Sequence, residues 1–355
     1  MFSSDVVRFI LQMNISHLTI LAIESSCDDT GVAVLKGNKV LSNLVANQEI
    51  HARYGGVVPE LASRAHLSNI TPTVDLAISD AGISTDEIDA VAYTIGPGLS
   101  GSLLVGASFA KAWAWARRIP TVPVHHMRAH VLAHFISPGP LPEFPFLCLT
   151  VSGGHTQMIH IHSPSNMEVI GATLDDAAGE AFDKVAKLIG LPYPGGPLID
   201  KYAVLGNPET FSFSKSKVEG LNMSFSGLKT QVLRFLQTQL SKDPDFIDNN
   251  LHDFCASVQS AIVGMLISKL ELAVKITGIK QVAIAGGVSA NSGLRKALTE
   301  KESLPEDPWK VFIPPMSYCT DNAAMVGIVG VFDAADKKFG SLSDTPNPRM
   351  PDLNS

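Results

Sequence analysis

The sequence predicts a duplicated α/β fold in two domains, and three observations carry the prediction. A chain of 355 residues, 45% hydrophobic and 17% charged, is too long for one ordinary core and suits two domains of roughly 150 residues each. An apolar strand, a small-residue polar turn and a second strand occur at 18–35 and recur at 146–159, so each half opens on a hairpin. Each half also holds a buried strand that passes through glycines into a helix, at 89–115 and at 282–293.

Composition narrows the function class. No run reaches the ~18 uninterrupted apolar residues of a membrane helix, so no membrane partner is expected. Cys27, Cys148, Cys255 and Cys319 fit no zinc-ribbon or disulfide spacing. The expected setting is a reducing one, cytoplasmic with mitochondrial as the alternative. A net charge of −7 argues against a free-standing nucleic-acid binder with a basic domain, while leaving room for a local basic face.

Taken in order, 1–17 reads as a mildly apolar extension with Met13 as an alternative start. Strands follow at 18–23 and 31–35 around the turn Glu24-Ser-Ser-Cys-Asp-Asp-Thr30. After a break at 54–60 comes a helix over 61–78, ended by Gly82. A strand at 89–94 enters the glycine-rich turn 96–102, which allows close backbone approach to a ligand at the start of a helix over 103–115.

A short strand at 121–124 delivers the chain into His125-His-Met-Arg-Ala-His130. Helix residues four apart stack on one face, so His126 and His130 aim two imidazoles at one spot where a single first-row metal ion could take both. Two ligands leave the site incomplete, and Asp321, in a Thr-Asp-Asn turn before an apolar run, is the carboxylate expected to close it. His134 lies about 6 Å farther along the axis and is left out, and His125 faces elsewhere. The Pro/Gly-rich loop 137–142 is the expected domain boundary. The expected organisation is an extension at 1–17, domains at 18–140 and 141–335, and a tail at 336–355.

In the second half, Ser152, Gly153 and Gly154 form a turn whose backbone N–H groups can cradle phosphate. The stretch 174–184 reads as a helix with an acidic first turn and Asp183 inside it. The turn 193–200 starts another helix: Gly196 admits a flat ring to the backbone, and Asp183 and Asp200 can accept from ribose hydroxyls or simply face solvent. The strand 282–285, Gly286-Gly287 and a helix from Gly293 complete a nucleotide-loop arrangement.

These motifs together carry a resemblance. Glu24-Ser-Ser-Cys-Asp-Asp-Thr30, Gly55-Gly-Val-Val-Pro-Glu60, His126-x-x-x-His130, Val151-Ser-Gly-Gly-His155, Asp175-Asp-Ala-Ala-Gly-Glu-Ala-Phe-Asp183, Tyr193-Pro-Gly-Gly196, Ser224-Phe-Ser-Gly-Leu-Lys229, Ala285-Gly-Gly-Val-Ser-Ala-Asn291 and Thr320-Asp-Asn322 stand in the order found in the tRNA N6-adenosine threonylcarbamoyltransferase family, TsaD in bacteria, once called glycoproteases. The chain resembles that family from about 18 to 331.

The resemblance implies an actin-like, Hsp70-like (ASKHA, RNase H-like) duplicated fold with an interdomain active-site cleft. It also implies transfer of threonylcarbamoyl from threonylcarbamoyl-AMP to N6 of the adenosine 3′ of the anticodon in tRNAs reading codons that begin with A. Matched position by position, His126, His130 and Asp321 hold a divalent metal, iron as Fe2+ with zinc as the alternative. Thr150, Val151, Ser152, Gly153, Gly154, Asp183, Gly196, Asp200 and Asn291 bind the adenylate. No side chain is assigned as a general base.

The implied partners are tRNA, threonylcarbamoyl-AMP, a non-catalytic TsaB-type paralogue and a small TsaE-type ATPase. Arg128 and Ser292 depart from residues frequent in relatives: Arg128 would alter local charge toward tRNA, and Ser292 bears on how Asn291 is supported. A metalloprotease fits poorly, because a zincin places Glu directly after its first His and here that residue is Met127. A non-catalytic scaffold or an actin-like sugar kinase fits less well than a metal-dependent transferase.

Overall fold

The computed structural model describes residues 15–214, 218–351 and 353, so most of the leader lies outside the described residues. The chain divides into two compact units, one reaching to Glu143 and resuming at Pro314, the other spanning Phe144–Ile313.

The first unit opens on an antiparallel meander of β1 (Thr19–Glu24), β2 (Thr30–Lys36) and β3 (Lys39–Ala46). The strands β4 (Ala90–Gly96) and β5 (Thr121–His125) add in parallel on the other side of β1, giving the order β3-β2-β1-β4-β5. Every residue of β1 is buried, which explains why it reads as an unbroken apolar run rather than an alternating one. Two helices, α1 (Pro59–Ala81) and α2 (Ser100–Arg117), share one core with the sheet. Val74, Ala77, Ala107 and Ala110 pack there with Leu21, Ile23, Val32 and Val34. The short α3 (His126–Leu132) follows β5 directly.

The second unit repeats the plan. The strands β6 (Phe146–Val151), β7 (Thr156–Ser163) and β8 (Asn166–Ala172) form the meander, with β9 (Gln281–Ala285) and β10 (Lys310–Phe312) parallel beyond β6. The order β8-β7-β6-β9-β10 is that of the first sheet, strand for strand.

Its helices are α4 (Ala178–Leu188), α5 (Gly196–Ala203), α6 (Ser226–Leu240), α7 (Phe246–Thr277) and α8 (Ser292–Glu302). By length and composition alone α7 could cross a membrane, but half of its most apolar window is buried, and Phe254, Val258, Ile262 and Leu266 lie in the unit's own core. Asp175 caps the start of α6, accepting from Phe225 N (2.8 Å), Ser226 N (3.2 Å) and the Ser224 and Ser226 hydroxyls. Burial opposes its ionisation, yet these four donors hold its carboxyl down at about 2.

After β10 the chain re-enters the first unit. There α9 (Ala323–Ala335) packs on the sheet face that α1 and α2 leave free, among Ile20, Ala22 and Ala92. Gly330 permits the approach, since a Cβ there would lie 2.5 Å from Ala92 Cβ. Being buried nearly all round, α9 carries no polar face to betray which sheet it serves.

The organisation read from the sequence is corrected on these points. The first break falls between Glu143 and Phe144, and 314–335 belongs to the first unit rather than the second. The described part of the 336–355 segment is also bound to the first unit, by Gly340 N to Thr121 O (2.8 Å), Asn347 N to Ile95 O (2.8 Å) and Lys111 Nζ to Asp344 O (2.8 Å).

Candidate functional site

The first cluster lies where β1, α3 and the start of α9 meet within the first unit. His125 caps α3, its Nδ1 accepting from Met127 N at 3.2 Å, so helical geometry begins at His126. Because α3 has turned fully by the next ligand, His126 and His130 stand one above the other, rings edge to face with centroids 4.7 Å apart. Asp321 comes from the turn before α9, whose first residues are fixed by the Asn322 side chain accepting from Met325 N at 3.1 Å. Gly31, paired with Glu24 across β1 and β2, brings that turn close: a Cβ on it would lie 3.0 Å from Ala323 N.

The three predicted ligands converge. Nε2 of His130 is 3.2 Å from Nε2 of His126 and 3.2 Å from Oδ1 of Asp321, and Nε2 of His126 is 3.6 Å from the same oxygen. Donors bound at about 2.0–2.1 Å to one tetrahedral ion lie roughly 3.3 Å from each other, so the spacing fits a metal. Two imidazoles and a carboxylate suit a first-row divalent ion and leave a position open. Both histidines are buried, whereas the Asp321 side chain is 31% exposed, which puts the accessible side of the cluster at the carboxylate.

Behind the ligands stands a residue the sequence reading quoted but gave no role. Glu24, 1% exposed at the end of β1, places Oε2 3.2 Å from His126 Nδ1. Its two oxygens also accept from Thr94 Oγ1 (2.5 Å) and Ser26 N (2.6 Å), while Ser26 Oγ lies 3.2 Å from the same Nδ1. A proton on Nδ1 donated to Glu24 leaves the Nε2 lone pair facing Asp321 and His130, the outer-sphere device that orients metal-bound histidines. The signal was a lone carboxylate closing an otherwise apolar strand.

The electrostatics favour a cation. Burial lowers the basicity of His126, but the Asp321 and Glu24 carboxylates outweigh it and hold the imidazole at about 9. Burial, with Asp28 and Asp321 nearby, raises Asp29 to about 6. Burial likewise pushes the Cys27 thiol up, with Asp28 adding to it, so Cys27 is no nucleophile.

Arg128, expected to alter charge toward tRNA, is instead paired with Asp333 of α9 through two contacts at 2.5 and 2.8 Å. Its charge is spent inside the unit, where it ties the helix bearing both histidines to the helix that Asp321 precedes. His66 is likewise structural, held by Thr30 Oγ1 at 2.7 Å and Cys27 O at 3.0 Å.

The second cluster lies wholly in the second unit, at the carboxyl ends of the parallel neighbours β6 and β9. Ser152 N donates to His155 O at 2.8 Å and closes the turn, and the Cβ positions of Gly153 and Gly154 meet nothing within 4 Å. Two flanking glycines keep the turn tight. A Cβ on Gly179 would lie 2.6 Å from Ser152 O, and one on Gly286, at φ +85°, 2.5 Å from Val151 O.

Asp183 accepts from Gly195 N (2.8 Å) and Gly196 N (2.9 Å) through one oxygen, and burial raises its carboxyl above the usual range despite these bonds. Asp200 accepts from Ser292 N (3.1 Å) and Ser292 Oγ (2.7 Å), so Ser292 ties α8 to α5. Asn291 caps α8 through Leu294 N (2.9 Å) and donates to Gln259 Oε1 (2.7 Å). Thr150 and Val151 are fully buried, so their side chains shape the turn rather than its surface.

A family model described as TsaD, tRNA N6-adenosine threonylcarbamoyltransferase, matches residues 39–328. A protein of that name from Christiangramia forsetii is 56% identical over 95% of this chain and 99% of its own, and one from Cytophaga hutchinsonii is 54% identical over 94% and 96%. Among solved structures, full-length HypF in a phosphate- and nucleotide-bound form aligns with a TM-score of 0.58 at 15% identity, over 92% of this chain and 47% of that one. The Acidaminococcus fermentans (R)-2-hydroxyglutaryl-CoA dehydratase component A aligns at 0.51 and 15%, over 90% and 99%. At such identities these two speak for the fold alone, the duplicated actin-like one.

Proposed function

Because the chain belongs to the tRNA N6-adenosine threonylcarbamoyltransferase family, we propose that it moves the threonylcarbamoyl group of threonylcarbamoyl-AMP to N6 of the adenosine 3′ of the anticodon in tRNAs reading codons that begin with A. The observation that carries the reading is the convergence of His126, His130 and Asp321 onto one point with Glu24 behind His126. His126, His130 and Asp321 would hold a divalent ion, iron before zinc. When bound, it supplies Lewis-acid stabilisation of the charge that develops on the mixed anhydride.

The protein's own contribution is binding and orientation. Glu24 fixes the His126 tautomer, and the hydrogen bond strengthens the ligand's basicity. Backbone N–H groups of Gly153 and Gly154 donate to the adenylate phosphate, whose charge rises as the carbamoyl–oxygen bond breaks and AMP departs. Asp183, anchored through one oxygen, and Asp200, held by Ser292, accept from the nucleoside hydroxyls. The N6 amine attacks an already activated carbamoyl carbon, so placing the two reactants together supplies much of the acceleration.

The partners proposed are a TsaB-type paralogue and a TsaE-type ATPase, in the cytoplasm. A net charge of −7 leaves the isolated chain few means of neutralising phosphates, so it should bind tRNA weakly by itself. The test is one reaction: protein, threonylcarbamoyl-AMP, both partners and unmodified tRNA, read by nucleoside mass spectrometry beside a peptide-cleavage assay. Threonylcarbamoyladenosine and AMP without cleavage are expected. Metal-dependent proteolysis with no tRNA product would overturn the reading. Met127, buried where a zincin needs its Glu, already argues against that outcome.

A further inference from the structure

A second group of metal-ligating side chains lies on the β7–β8 hairpin of the second unit, among residues to which nothing above gives a role. His160 and His162 are two apart on β7, with Ile161 between them fully buried on the opposite side. Glu168 of β8 stands directly opposite His160 in the antiparallel register. Between Ile161 and Ser163 the register shifts, leaving His162 as the unpaired residue of a bulge. Bulges bend a strand and re-aim the side chain they carry. Here the His162 ring lies against that of His160, centroids 3.9 Å apart, with its Nε2 3.6 Å from Glu168 Oε2.

From this geometry we infer a second divalent-metal site, made of His160, His162 and Glu168 and suited to a borderline ion such as zinc. One ligand atom from each of the three lies within 4.8 Å of the others. Reaching the roughly 3.3 Å edge of a tetrahedral ion requires these atoms to close by up to about 1.5 Å. Independently, Nε2 of His160 is buried without a hydrogen-bond partner, an unsatisfied lone pair or N–H that costs free energy unless something binds it. The His162 and Glu168 side chains are 39% and 56% exposed, so an ion can enter and keeps an open position for water or a donor from another molecule.

The placement gives the ion a mechanical role. In the sheet order β8 is an edge strand whose one strand neighbour is β7; its last residue, Ala172, is also tied to Asn222 and Met223, and edge strands are where pairing is least protected. An ion bridging His160 and His162 on β7 to Glu168 on β8 cross-links that edge, and anything that binds only the folded hairpin stabilises it by mass action. The inference does not depend on the transferase reading, because it concerns other residues on another sheet.

The test uses zinc alone as probe on the full-length, metal-stripped chain. Equilibrium dialysis with elemental analysis should give two ions for the unaltered protein, one for His126→Ala and one for His162→Ala. In the His126→Ala background, zinc should still raise Tm, and His162→Ala should abolish that rise. Glu168→Gln keeps shape and hydrogen bonding, and should weaken the second ion at least tenfold while tRNA modification stays within twofold of normal. The inference fails if His162→Ala and Glu168→Gln bind zinc as the unaltered chain does. It fails equally if the second ion appears only at millimolar zinc.

Discussion

The two units share one strand order and place different chemistry at the equivalent turn. In the first, Glu24 closes β1 and Ser26 lies in the turn after it, both reaching Nδ1 of His126 beside the three-ligand cluster. In the second, the topologically equivalent turn after β6 is Ser152, Gly153 and Gly154; with Ser152 N bonded to His155 O, it offers the glycine N–H groups and no side chain beyond a hydroxyl. Strand order decides where the loops gather, and the side chains at the first few loop positions decide the chemistry those loops present.

The largest expected effect comes from taking a ligand out of the first unit. His126→Ala or Asp321→Ala should reduce bound metal below a tenth of normal and lower tRNA modification by more than 100-fold, beyond the 10- to 100-fold typical of outer-sphere partners. Far-UV circular dichroism should be unchanged. Stoichiometric metal by elemental analysis in both variants would refute the assignment. Glu24→Gln tests the support behind the ligands: a loss of about 10- to 100-fold in metal affinity is expected, and an unaltered affinity would reduce Glu24 to a packing role.

Asp183→Ala sharpens the contrast from the other side. It removes an acceptor shared by two backbone donors, so adenylate affinity should fall by roughly 1–3 kcal/mol, measured by calorimetry, while metal content stays constant. Loss of metal in that variant would erase the division of labour. The smallest effect belongs to the leader. A chain started at Met13 keeps Ile15, which is 5% exposed, and should melt within about 2 °C of the full chain. Ile15→Ala should cost about 2–5 kcal/mol by opening a core position. A large drop in Tm for the shortened chain would show that the removed residues carry stability.

What could be read beforehand follows from how local each signal is. The hairpins, the glycine turns and the His126–His130 pair are each written in one short contiguous stretch, and the structure reproduces their elements within a few residues. The partnership with Asp321 spans the whole second unit and was reachable only because a Thr-Asp-Asn turn before an apolar run marks a helix start. Glu24 was missed because burial of a strand-end carboxylate depends on Thr94 and His126, which come from other strands and helices. The position of α9 was missed because a helix apolar on all sides carries no directional pattern. The edge strands β3 and β8 were missed too, since partly exposed strands mix charged and apolar residues without strict alternation.

The interruption of the first unit at Glu143 and its resumption at Pro314 has a temporal consequence during translation. His126 leaves the ribosome 195 residues before Asp321 (321 − 126) and His130 191 before it (321 − 130), and at ordinary elongation rates either interval lasts about 10–40 s. Through that time the nascent chain carries two imidazoles, a buried-to-be glutamate and an uncovered sheet face, with neither the third ligand nor α9 yet made. Completion of the three-ligand cluster therefore waits for the carboxyl-terminal segment, and a message truncated between codons 314 and 320 carries the whole second unit yet never supplies Asp321.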